Sequence, residues 1–252
     1  MKPLDRLSFQ LYSARGLQPL EKQFELLAGL GYTLVEPFGG LFGDVPKLKG
    51  LLEKHGMNAP STHVGLDRLR ADAIGTVALC KDLGIETIFA PAPPMGEYEG
   101  GESHWRNIGK ELNAIGKVVT GEGLKFGWHN HHWEYVKAAN GKTLLECLFE
   151  EAPDLLWEAD LAWIIRGGGD PVTELAKHKG RVIAAHVKDL APQGQNADED
   201  GWADPGHGIM DWKALLDAMK TNGVDLFVVE HDKPNDIARF ARRARETVAG
   251  WA

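Results

Sequence analysis

The sequence predicts an α/β fold, a single closed (β/α)8 TIM barrel, and three observations carry that prediction. The chain has 252 residues, close to the roughly 250 that such a barrel takes as one domain. Short β-like runs alternate with helical patterns about eight times, with glycine at the helix exits. No GxGxxG follows the first run, which weakens the competing doubly wound sheet in its nucleotide-binding form. No linker, tandem repeat or low-complexity tract divides the chain, so residues 1–252 read as one domain.

The elements follow in order. LSFQLY at 7–12 is the first strand, and a helix over about 20–30 stops at Gly31. TLVEP at 33–37 leads to a helix over 45–55 that stops at Gly56. NAPSTH at 58–63 leads to an amphipathic helix over about 70–83, ended by Gly84. ETIFA at 86–90 runs into a proline-rich loop and then a helix over about 103–120. Residues 124–131 form the fifth strand, and LLWEAD at 155–160 precedes a GGGDP loop and a helix near 172–178. RVIAAHV at 181–187 opens a long polar loop, followed by a helix near 212–222. LFVVE at 226–230 and a helix over about 236–248 complete the pattern.

Charge and composition narrow the function classes. Lys plus Arg number 28 against 36 Asp plus Glu, a formal charge of −8, and such a surface repels nucleic-acid phosphates. Cys80 and Cys147 lie in helix-like stretches, which fits reduced thiols in a cytoplasm. The apolar run at the N-terminus is too short for a signal peptide, and no segment approaches the roughly 18 apolar residues of a membrane span. A cytoplasmic protein without a membrane or nucleic-acid partner is expected.

In barrels of this kind the chemistry sits where strands end. Here the ends carry Gln10, Glu36, His63, His129 with His131, Asp160, His186 with Lys188, and Glu230. Strand alternation puts His129 and His131 on one face and Trp128 and Asn130 on the other. By the same rule Glu158 and Asp160 share a face, as do Ala184, His186 and Lys188, and Val228 and Glu230. Any one of these reads most simply as a capping or loop-binding residue. The set does not, because burying several carboxylates together costs several kcal/mol per unpaired ion unless a cation compensates. A mixed oxygen and nitrogen donor set suits Mn²⁺, Mg²⁺, Co²⁺ or Zn²⁺.

The motifs come in a recognisable order: WHNHHWEY at 128–135, WEADLAWIIRGGGDP at 157–171, HVKD at 186–189, GHGIMDW at 206–212 and VVEHD at 228–232. With FQLYSAR at 9–15, GYTLVE at 31–36 and STH at 61–63, they span nearly the whole chain. The sequence resembles the sugar phosphate isomerase/epimerase proteins of the xylose isomerase-like TIM barrel superfamily, in the subgroup with a YHNHxxEF motif. It departs from that pattern at Ala162, where Tyr is usual, and at His207, where Glu is frequent.

That resemblance implies one divalent metal ion, Mn²⁺ first and Mg²⁺, Co²⁺ or Zn²⁺ as alternatives, held by Glu134, Asp160, His186 and Glu230. His129 is the alternative to Glu134. Gln10, Glu36, His63, His129, His131, Lys188 and His207 are then expected around the substrate, with Trp105 and Trp163 as apolar walls; core packing is the commoner role for Trp. The implied activity is isomerisation or epimerisation of a ketose or keto-inositol, phosphorylated or not. Glu134 and Glu230 would exchange a proton at the carbon next to the carbonyl. The same chemistry can expel a β-leaving group, as in inosose dehydratases and 3-keto-glycoside-cleaving enzymes. A non-catalytic sugar-binding barrel is a further alternative. The small-molecule sugar is the expected partner, and a homodimer or homotetramer is left open.

Overall fold

A computed structural model describes residues 2–251. Eight parallel strands form its central sheet: β1 Leu7–Gln10, β2 Leu34–Glu36, β3 Ser61–His63, β4 Thr87–Ala90, β5 Lys125–His129, β6 Leu156–Asp160, β7 Val182–Val187 and β10 Leu226–Val229. The order β2-β1-β10-β7-β6-β5-β4-β3 leaves β2 and β3 at the two ends. Two isolated parallel bridges, Leu34 to Asn58 and Phe38 to His63, join those ends and nearly close the barrel. The predicted (β/α)8 TIM barrel is the fold observed.

Among the described residues, nine α-helices lie between or after the strands: α1 Leu20–Gly29, α2 Val45–His55, α3 Leu66–Asp82, α4 Glu102–Gly121, α5 Leu144–Glu151, α6 Leu161–Arg166, α7 Pro171–Lys177, α8 Trp212–Asn222 and α9 Ile237–Ala249. Their ends have local causes. In α2, Asp44 accepts the Lys47 N–H at the start and Gly56 ends the helix at φ 61°, a left-handed conformation that glycine adopts without strain. Helix α5 contains Cys147, whose surroundings read as helix-like without stated bounds; its capping box, Thr143 with Glu146, supplies the missing partners of the first turn.

Three elements depart from expectation for identifiable reasons. The third strand keeps only Ser61–His63, because Pro60 has no N–H to give a neighbouring strand. The third helix begins early, at Leu66, and breaks at Asp72 (φ −157°), whose carboxylate accepts the Gly75 N–H at 2.8 Å and restarts it. The long polar loop folds on a hairpin, β8 Asp189–Leu190 against β9 Trp202–Ala203. No helix among the described residues is long and apolar enough to cross a membrane.

Inside the barrel, Phe89, Ala184, Leu226 and Val228 form a small apolar cluster. Two residues along from Ala184 and Val228, on the same strand face, come His186 and Glu230. Gly127 passes under this floor: a Cβ there would stand 2.7 Å from the Phe89 ring and 2.9 Å from the Leu156 carbonyl. Apolar floor below and polar residues above follow from alternation along each strand.

Candidate metal centre

His129 ends β5, Asp160 ends β6, His186 lies in β7 and Glu230 directly follows β10. One ligand atom from each lies within 4.8 Å of the other three, and all four residues are buried. His186 Nδ1 is 3.0 Å from Glu230 Oε2 and 3.8 Å from Asp160 Oδ2. Asp160 Oδ1 caps α6 by accepting the Trp163 N–H, but its buried Oδ2 has no hydrogen-bond partner. An orphaned, buried carboxylate oxygen is costly, and a cation would satisfy it. Two imidazoles and two carboxylates fit a borderline divalent ion such as Zn²⁺, Co²⁺ or Mn²⁺.

Neighbouring side chains hold this set. Asn130, on the opposite strand face, accepts the Asp160 N–H at 3.0 Å and the Trp157 indole N–H at 2.9 Å, and donates to the Asp160 carbonyl at 3.3 Å. Glu158 Oε2 meets three imidazoles: His63 Nε2 at 2.5 Å, His129 Nδ1 at 3.1 Å and His186 Nε2 at 3.2 Å. Lys188 is fully buried, paired with Asp232 and lying 3.2 Å from Glu230 and 3.6 Å from Asp160. Its ammonium sits over the rings of Trp202 (4.1 Å) and Trp163 (4.8 Å), where the electron-rich faces favour a cation.

Burial and close charges set the ionisation. Burial pushes Asp160 up to about 6, against the pull of Lys188 and His186. Burial acts the same way on Glu230, but Lys188 and His186 outweigh it and hold that carboxyl well below its ordinary range. Burial lowers His129 to about 3, helped by the charge of His186. His186 is driven well above its ordinary value by Glu158 and Glu230, despite burial.

Glu134 is absent from this set. Although buried, it faces away from the centre, accepting the Trp128 indole N–H and the His131 backbone N–H, each at 3.0 Å. The short 3-10 turn Trp133–Tyr135 makes that geometry, and burial raises its carboxyl to about 8. Of the two residues expected for the first place, His129 is the one that stands among the gathered donors.

A cavity of about 560 Å³ opens above the centre, with His63, His129, His131 and Glu230 in its wall and Tyr12 and Phe38 at its side. Other expected substrate contacts lie elsewhere. Gln10 and Glu36 are fully buried and bonded to each other at 2.7 Å, behind His63. Lys188 lies behind Glu230 and does not line the cavity. Trp105 is core, edge-on to Trp128 at 6.2 Å. Trp163 covers Lys188 and stacks on His132 at 4.9 Å. His207 is exposed and off the cavity. Its glycine neighbours serve Asp189, which accepts the N–H groups of Gly206 at 2.9 Å and Gly208 at 3.2 Å. Trp202 is buried within its own chain and caps no cavity.

Glu158, Asp232 and Asn130 are the residues that sequence reasoning left without a role. For Glu158 the signal was present, since it shares a strand face with Asp160.

Residues 24–249 match the family described as xylose isomerase-like TIM barrel, and the chain belongs to that family. It is 22% identical to an inosose dehydratase of Clostridium beijerinckii over 61% of this chain and 56% of that protein, so the alignment spans about half the relative. A sugar phosphate isomerase/epimerase structure from Parabacteroides distasonis superposes with a TM-score of 0.78 at 20% identity, covering 95% of this chain and 96% of the other. The IOLI protein, solved with a binding zinc atom, superposes at 0.76 with 18% identity, covering 98% and 99%.

Proposed function

We propose that the protein is a divalent-metal-dependent sugar isomerase or epimerase that removes and returns a proton at the carbon next to a carbonyl of a ketose or keto-inositol. The observation that carries this reading is the gathering of His129, Asp160, His186 and Glu230 at the floor of a sugar-sized cavity. A divalent ion bound there would polarise a substrate oxygen and stabilise negative charge on it. The IOLI neighbour, a barrel of the same fold solved with a binding zinc atom, supports a metal-binding reading.

The chain's own residues supply the proton handling. Glu230 lines the cavity, and Lys188 and His186 keep it in the carboxylate form a base needs. His131 also lines the cavity; its buried Nδ1 has no protein partner, and burial keeps the ring neutral. It is suited to bind a substrate hydroxyl or to relay a proton. Tyr12 and Phe38, edge to face at 5.3 Å, offer an apolar side for the C–H face of a sugar.

The similarity to inosose dehydratase favours a second reading, elimination of a β-hydroxyl after the same proton removal. Incubation of the metal-loaded protein with ketoses and keto-inositols in D₂O tests both by NMR. Deuterium entering the carbon beside the carbonyl without a new double bond supports isomerisation or epimerisation. A vinylic product supports elimination. Neither signal on any member of the panel would remove the enzymatic reading.

A further inference from the structure

The centre above uses one edge of the His186 ring, and the other edge meets a second donor set. His63, His129, Glu158 and His186 also bring one ligand atom each within 4.8 Å of one another, all of them buried. Glu36 joins them, its Oε1 3.1 Å from His63 Nε2 and 3.4 Å from His186 Nε2. We propose that Glu36, His63 and Glu158 form a second divalent-cation position beside the first, with the His186 imidazole between the two.

Spacing is the first support. Donor atoms at about 2.0–2.2 Å from one tetrahedral ion stand roughly 3.3 Å apart. Glu36 Oε1 and His63 Nε2 are already near that separation, at 3.1 Å. His63 Nε2 and Glu158 Oε2, at 2.5 Å, would open by roughly 0.8 Å to reach it.

Charge is the second. Glu36, Glu158, Asp160, Glu230 and Asp232 converge here on neutral-capable imidazoles and a single fixed cation, Lys188. Counted with neutral imidazoles, as metal ligands must be, five carboxylates against one ammonium leave a deficit of four; without ions, protons on His186 and His63 make up part of it, held there by the carboxylates around them. One divalent ion removes half of that deficit and a second removes the rest. Isolated buried carboxylates are too costly to leave uncompensated.

The third support is an atom without a partner: Glu158 Oε1 is buried and accepts no hydrogen bond. The carboxylate of Glu36 is held from behind. Gln10 Nε2 donates to Glu36 Oε1 at 2.7 Å and the Ser61 hydroxyl donates to Glu36 Oε2, the kind of support that orients a ligating carboxylate. His63 lines the cavity, so the position has an entry path. Three protein ligands leave a fourth place open towards the cavity, the arrangement of reactive rather than closed structural sites. A hydroxyl or phosphate oxygen of substrate would take that place, a statement that rests on the proposed function above.

Stoichiometry tests the proposal. Chelator-stripped protein is titrated with Zn²⁺ by calorimetry, and with Co²⁺ for its visible spectrum. The wild type should saturate at two equivalents. The Glu36→Gln/His63→Gln variant should fall to one and lose one component of the Co²⁺ spectrum, whereas Asp160→Asn should keep that component. Circular dichroism checks that the variants fold. Anomalous scattering from Zn²⁺-soaked wild-type crystals gives a variant-free measurement, with two peaks expected. Saturation at one equivalent, or two equivalents retained by the double variant, overturns the second position and leaves the first. No binding by the wild type overturns both.

Discussion

The side chain of Asn130 fastens the backbone of Asp160: its oxygen accepts the Asp160 N–H at 3.0 Å and its amide nitrogen donates to the Asp160 carbonyl at 3.3 Å. Asn130 points away from the cavity, yet it fixes the residue whose free carboxylate oxygen is poised for a cation. Asn130→Ala would leave those buried groups unpaired, at about 1–3 kcal/mol each. Thermal unfolding should show Tm lower by ~5–10 °C. Zn²⁺ affinity measured by chelator competition should fall by about 10–100-fold, as for losses of orienting groups behind metal ligands. An unchanged affinity would show that Asp160 holds its place without help.

Glu230→Gln keeps the shape of the side chain and removes its basicity. Turnover on any substrate found in the D₂O panel should drop by about 10²–10⁴-fold, while the circular-dichroism spectrum stays that of the wild type. Full activity in this variant would take the proton-transfer role away from Glu230.

Lys188 pulls on the same carboxylate from behind. In Lys188→Met, Glu230, Asp160 and Asp232 lose their fixed cation, and breaking such a buried pairing costs about 3–5 kcal/mol. Lys188 lowers the Glu230 pKa, so its removal raises that pKa. The carboxylate form then appears only at higher pH. The acid limb of the kcat/KM profile should move to higher pH, and a limb that stays in place would argue against Lys188 as the group that tunes the base.

Glu134 provides a contrasting titration. Its carboxyl is raised to about 8 in the folded chain by burial, against an ordinary value near 4.5. A raised folded value means that stability from this group is complete below the unfolded pKa and is lost as pH climbs through the folded one. Denaturant unfolding should therefore show stability declining between about pH 5 and 8. Glu134→Gln should flatten that decline and leave Zn²⁺ affinity unchanged; a large loss of affinity would return Glu134 to the ligand set.

Metal removal should also be visible in stability. Dialysis against a chelator leaves Asp160 and Glu230 uncompensated, and restoring Zn²⁺ to 100 times its Kd should return about 2.7 kcal/mol. At this chain length that is a Tm gain of ~5–10 °C.

What could be read from the sequence follows the range of each interaction. Asp160, His186 and Glu230 were legible because strand alternation alone sends them to one side of the barrel, above Ala184 and Val228. The barrel itself was legible from its repeating strand and helix signals, although the bounds of α5 and the β8–β9 hairpin were not. The direction of Glu134 was out of reach of strand alternation, because it lies five residues from the end of β5 and a 3-10 turn directs it to Trp128. Lys188 was placed on the right face, but the residues it meets were not legible. Asp232, Trp163 and Trp202 reach it from three separate segments, and no local pattern records such a meeting. Asn130 sits on the face that alternation assigns to packing, and it acts through main-chain bonds that residue type does not announce.

The bridges between β2 and β3 bear on how the protein breathes. Elsewhere neighbouring strands share ladders of at least three paired residues, but this seam rests on few links, among them Val35 N–H to the Asn58 carbonyl and His63 N–H to the Pro37 carbonyl. Glu36 and His63 stand on its two lips. Local opening begins where backbone bonds are sparse, so hydrogen exchange should be fastest, among the barrel strands, at the joint that carries these two side chains.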